Sequence, residues 1–121
     1  MKDTSQNLKA QLTEVVRHVK ELEEKANAAL YTLRDEIQYR ELMRQKAMLL
    51  AGMAEQCQPA LATMPSSSAT IAIAKRLQRF SHNAEMALQL NSVFYMSALL
   101  YPDDYVSGTP NDLENFIQEF L

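Results

Sequence analysis

The sequence predicts an all-α fold, and three observations carry that reading. An apolar pattern at helical spacing runs from about Leu8 to Cys57. Composition is 47% hydrophobic with only two glycines and four prolines, which suits packed helices rather than strands or disorder. Proline-bearing breaks at residues 58–68 and 102–109 divide what remains into helix-sized pieces. At 121 residues the chain is expected to be one domain with a modest core. The expected architecture is a long helical hairpin with a coiled-coil N-terminal half plus a short C-terminal helix, completed between chains as an intermolecular helical bundle.

Helix 1 is placed at about 4–58, after a polar start in which Thr4, Ser5 or Asn7 can cap the first turn. Leu8, Leu12, Val15, Val19, Leu22, Ala26, Ala29 and Leu33 alternate at spacings of four and three, the seam of a coiled coil. Beyond Leu33 the pattern changes. Ile37, Tyr39, Leu42, Met43, Ala47, Leu49, Leu50, Met53, Ala54 and Cys57 spread over about half the cylinder, a width that suits a helix with two or three neighbours. Ala47, Ala51 and Gly52 leave a shallow place where Phe80 is expected to lie, so Gly52→Leu should overpack it by about 1–3 kcal/mol. Pro59 is expected to end the helix, the alternative being a kinked helix that continues to Met64. Cys57 is the one cysteine; it excludes an internal disulfide and reads as a small core residue.

The connector is 59–68, with Ser66, Ser67 or Ser68 as the cap of helix 2 at about 69–101. Its apolar line is Ile73, Leu77, Phe80, Ala84, Leu88, Phe94, Ala98 and Tyr101, interrupted at Asn91. Pro102 stops it. After a loop at 102–109, Thr109, Pro110 and Asp112 supply an N-cap, a first-turn proline and a first-turn acid for helix 3 at about 110–121, whose stripe is Leu113, Phe116, Ile117, Phe120 and Leu121. The late concentration of aromatics reads as a core where helix 3 folds on helix 2, or as an adaptable groove for a partner's amphipathic helix.

Helix lengths set the expected partner. At about 1.5 Å per residue, helix 1 is roughly 75 Å long and helix 2 roughly 50 Å, so helix 2 leaves the N-terminal seam uncovered. A two-fold, antiparallel homodimer through Leu8, Leu12, Val15, Val19, Leu22, Ala26 and Leu33 is the expected remedy, and another protein filling the same seam is the alternative.

For function, the sequence holds no catalytic motif, no metal-ligand cluster and no phosphate loop. No catalytic residue, cofactor, metal or small-molecule substrate is therefore expected. The longest apolar run, Ala47 to Ala54, is far short of the roughly 20 residues of a membrane span, and the N-terminus lacks a secretory leader, which makes the cytoplasm the expected location. Net charge is −3, and residues 80–121 carry Glu85, Asp103, Asp104, Asp112, Glu114 and Glu119 without a lysine or arginine. This acidic third serves solubility or docks a basic partner. Arg40, Arg44, Lys46, Lys75, Arg76 and Arg79 form a candidate anion or nucleic-acid patch, although the acidic balance and the lack of a helix-turn-helix signature weigh against nucleic acid. Arg76 and His82 have a spacing similar to the Arg-x4-6-His motif of the HEPN ribonucleases, which are helical and dimeric. The resemblance covers these two residues, departs from the pattern at Leu77, and implies RNA cleavage. The expected function is a non-enzymatic protein–protein interaction or assembly module, such as a scaffold, adaptor or small helical chaperone. A nucleic-acid-associated regulator is the second reading and a HEPN-like ribonuclease the third.

Overall fold

Asp35 divides the long apolar pattern in two. In the computed structural model, which describes residues 5–121, Asp35 is extended (φ −105°, ψ 91°) and its side chain accepts the Gln38 N–H at 3.0 Å, starting a new helix inside the expected 4–58 rod. The first helix, α1, spans Ser5–Asn27 and runs out through a π-helical turn, Ala28–Thr32. Arg34 then adopts the left-handed conformation (φ 56°), and the Asp35 N–H reaches back to the Ala29 carbonyl at 2.8 Å. The chain reverses there. Helix α2, Glu36–Ala51, returns along α1, so that Lys46 pairs with Glu23 at 3.0 Å and Gln11 donates to the Gln56 carbonyl at 2.9 Å. The expected cap Thr4 lies outside the described residues.

Two short helices, α3 (Met53–Gln56) and α4 (Gln58–Ala62), prolong α2 with small offsets. The first offset has an identifiable cause. Ser81 inserts its hydroxyl into the helical ladder, accepting the Ala54 N–H at 2.9 Å and donating to the Leu50 carbonyl at 2.8 Å. Pro59 falls in the first turn of α4, where its missing N–H matters least, so the kinked continuation holds rather than a stop at 58. Ser67 accepts the Thr70 N–H at 3.2 Å and caps α5, Ser68–Gln89, which packs antiparallel on α2 and α3.

The expected helix at 69–101 is also interrupted. Asn91 (φ 51°) closes α5 with a Schellman pair, its N–H bonding Leu88 O at 3.0 Å while the Ser92 N–H bonds Ala87 O at 3.2 Å. Ser92 accepts the Tyr95 N–H at 3.1 Å and caps α6, Val93–Ala98. The last helix, α7, is Asp112–Phe120. It is capped by Asn111 rather than Thr109, through a reciprocal capping box with Glu114 at 2.9 Å in both directions.

Among the described residues there are seven α-helices and no strand. The division of helix 1 removes the length mismatch, because α2, α3, α4 and α7 now cover the N-terminal seam. Leu8, Leu12, Val15, Val19, Leu22 and Ala26 are buried inside the single chain, and of the seven expected interface residues only Leu33, 68% exposed, faces outward. The seam is core in this fold, covered by the chain's own helices. Cys57 is also core. Phe80 does not lie over Gly52; it meets Phe116 of α7 edge to face at 5.7 Å. A Cβ on Gly52 would touch only Met48 O at 3.7 Å and Gln56 Nε2 at 3.9 Å, which is ordinary contact, and Phe80 is not the neighbour that the expected overpacking requires. Helix α7 closes the bundle against α1 as well as Phe80, with Leu113 and Phe116 fully buried.

Candidate functional site

The turn after α6 shapes a groove. Leu99 (φ −55°, ψ 132°) and Leu100 (φ 77°) form a type II turn closed by the Tyr101 N–H on Ala98 O at 2.9 Å. The second central position of such a turn normally takes glycine, and a leucine there costs of order 1 kcal/mol or more. Burial of the Leu100 side chain offsets that cost, and the Asp112 N–H holds its carbonyl at 3.0 Å. Leu100 thereby stands between two adjoining recesses. One, of about 390 Å³, lies between the end of α5, α6 and the first turn of α7, with Met86, Leu90, Tyr95, Leu99, Asn83 and Asp112 in its wall. The other, of about 270 Å³, continues past Asn83 and Asp112 to Arg76, Arg79 and Phe80.

The rim of the first recess is apolar and uncovered. In its wall Leu90 is 59% exposed and Tyr95 53%, and Phe94, outside the recess and 73% exposed, packs edge to face on Tyr95 at 5.6 Å. The hairpin apex adds Tyr31, Leu33 and Ile37, all exposed, at the same end of the bundle, where α2 meets α6.

A second polar feature is buried. Lys46 has no exposed surface; its Nζ lies 3.0 Å from Glu23 Oε2, donates to Ser97 O at 3.1 Å and sits 5.0 Å from the centre of the Tyr101 ring. The Tyr101 hydroxyl donates to Glu23 Oε1 at 2.7 Å. Burial pushes the lysine's pKa down and the Glu23 charge restores part of it; burial, then the bond to Glu23, pushes the tyrosine's well up. These contacts tie α1, α2 and the chain after α6 together.

The six cations of the expected patch are not one surface. Lys46 is buried, Arg40 and Arg44 line a recess with Asn91 and Val93, and Asn91 is about three helical turns beyond Arg79. Lys75 and Arg79 are exposed, while the Arg76 guanidinium is half-buried over Phe80, Phe116 and Phe120 at 5.6, 5.6 and 5.9 Å. His82 is exposed, and six positions along α5 set it about 120° around the helix from Arg76. His18 is exposed as well. Among the described residues no three histidine, cysteine or acidic side chains gather in a metal-holding group, and no helix is long and apolar enough to cross a membrane.

The groove forms where one continuous helix was expected at 69–101, because the chain breaks at Asn91 and again at Leu100. The signal was present at Asn91-Ser92, a left-handed cap residue followed by a new N-cap. Comparison with protein-family models, curated proteins and solved structures finds no match to this chain.

Proposed function

We propose that the chain is a non-enzymatic protein–protein interaction module whose working surface is the α5–α6 face. One observation supports this above others: Met86, Leu90 and Tyr95 stand exposed in the wall of a recess, and Phe94, packed on Tyr95, is exposed beside it. Large exposed aromatic and aliphatic side chains beside a concave, mostly apolar pocket are the usual makings of an anchor site, and methionine adds adaptability. Lys46 and Tyr101 make their contacts with each other and with Glu23, which suits a structural tie rather than chemistry. A single buried cysteine suits a reducing, cytoplasmic setting. A homodimer, in this reading, forms through the same face and the adjoining apex rather than through the N-terminal seam.

Affinity purification from the native cell tests the reading, with wild type and Leu90→Glu/Phe94→Glu compared side by side. Both side chains are exposed, so the variant should melt like wild type. It should lose the protein partners that wild type retains. Equal retention by a folded variant would refute the α5–α6 face as the working surface.

A further inference from the structure

We infer that the groove beside α6 receives a basic amphipathic helix of a partner protein, an inference that rests on the interaction reading above and specifies the chemistry of the partner. Shape comes first. Met86 and Leu90 are one helical turn apart at the end of α5, and Tyr95, with Phe94 packed against it, carries the apolar wall onto α6, which suits a ligand presenting anchors at i, i+3 or i+4, and i+7. The flanking wall is closed by Leu99 and Leu100.

Charge then selects among apolar helices. Asp112 stands half-buried in the groove wall, and its carboxylate has no hydrogen bond or ion pair among the described residues. Asp103 and Asp104 lie in the loop that leads to it, and no lysine or arginine occurs from residue 80 to residue 121. Burial raises the Asp112 pKa, Arg76 pulls it down, and Asp104 raises it further. Arg76 is the cation that faces this carboxylate, yet it is held over three phenylalanine rings of α5 and α7 and is not within ion-pairing distance. An acidic or neutral helix seated here would cover an unpaired carboxylate, at the cost of burying its charge. A lysine or arginine placed one turn from an apolar anchor would instead pair with Asp112 as water leaves the groove. The acidic third of the sequence thus becomes a selective rim.

The test is selection of a displayed random 16-residue peptide library on the intact protein, with counter-selection on Leu90→Glu. Synthetic copies of enriched peptides are then measured by fluorescence anisotropy, and the protein alone is run by sedimentation velocity. The expected result is enrichment of peptides with net positive charge and apolar residues at helical spacing, with binding lost on Leu90→Glu. Asp112→Asn should weaken binding about tenfold, the worth of one charge-assisted bond, and binding should weaken with salt. Enriched peptides that are neutral or acidic, an unchanged affinity on Asp112→Asn, or no enrichment at all would overturn the inference. So would a dimer of the chain alone that Leu90→Glu dissociates, because a second copy would then be the occupant. In each of those outcomes the purification experiment still stands separately: partners lost from the Leu90→Glu/Phe94→Glu variant keep the interaction reading, and partners retained by it end that reading too.

Discussion

Ser81 replaces one rung of a helix with its own hydroxyl. The Leu50 carbonyl and the Ala54 N–H would otherwise bond to each other, and instead each bonds to Ser81 Oγ, at 2.8 and 2.9 Å. Both backbone groups are buried under α5, so losing the hydroxyl leaves them unpaired unless the helix straightens. Ser81→Ala should therefore cost about 1–3 kcal/mol by urea denaturation, more than an alanine substitution at the exposed neighbour His82. An unchanged midpoint would mean that α2 and α3 fuse into one regular helix at no cost. This contact was not legible in the sequence, because a serine on a helix gives no sign of whether it faces solvent or a neighbouring backbone. Lys46 misleads in the same way. As a letter it is a surface cation, and only the approach of Glu23, Ser97 and Tyr101 from three other segments makes its burial affordable.

At the scale of the elements, the all-helical class and the break at 102–109 were readable, because proline acts locally; the break expected at 59–68 is shorter, since α4 carries the chain through Pro59 to Ala62. The reversal at Leu33–Asp35 was readable too, yet the heptad count ran over it. Asp35, Glu36 and Gln38 are a capping signature, and the apolar pattern widens directly after Leu33. A π-helical turn followed by a left-handed residue leaves no mark in the apolar spacing. That left-handed residue is Arg34, which is exposed and stands where glycine is the usual choice. Arg34→Gly should stabilise the protein by about 1 kcal/mol, since relief of the left-handed strain exceeds the added freedom of the unfolded chain. Asp35→Ala should cost about 1 kcal/mol through loss of the cap on Gln38. Thermal melts of the two variants should move in opposite directions; a fall for Arg34→Gly would show that the arginine side chain does more than occupy the turn.

Across the whole molecule, α7 and the loop before it are held to the first hairpin by two polar ties, Tyr101 to Glu23 and Glu114 to Lys20, the latter at 2.8 Å. The second tie sets the behaviour in acid. Burial pushes the Glu114 pKa up, but the bond from Lys20, the Asn111 N–H and the lysine's charge outweigh it, and the pKa ends below its ordinary 4.5. A carboxyl depressed by folding adds stability that is complete above its unfolded pKa and is lost as pH falls through the folded one. Asp112, two residues earlier, has the opposite sign. Its pKa is raised above 3.8 by burial first, so the folded state takes up that proton more readily than the unfolded chain and gains stability as pH falls. Lys20 is about half exposed, so the Glu114 contribution is screened and amounts to about half a kcal/mol. Glu114→Gln keeps a residue able to complete the capping box and removes the charge. Between about pH 5 and pH 3 the wild type should therefore lose roughly 2 °C more in melting temperature than Glu114→Gln, while near pH 7 the variant should lie below wild type by a similar amount. Parallel acid profiles for the two proteins would place the acid sensitivity elsewhere and leave the Lys20 contact without energetic weight.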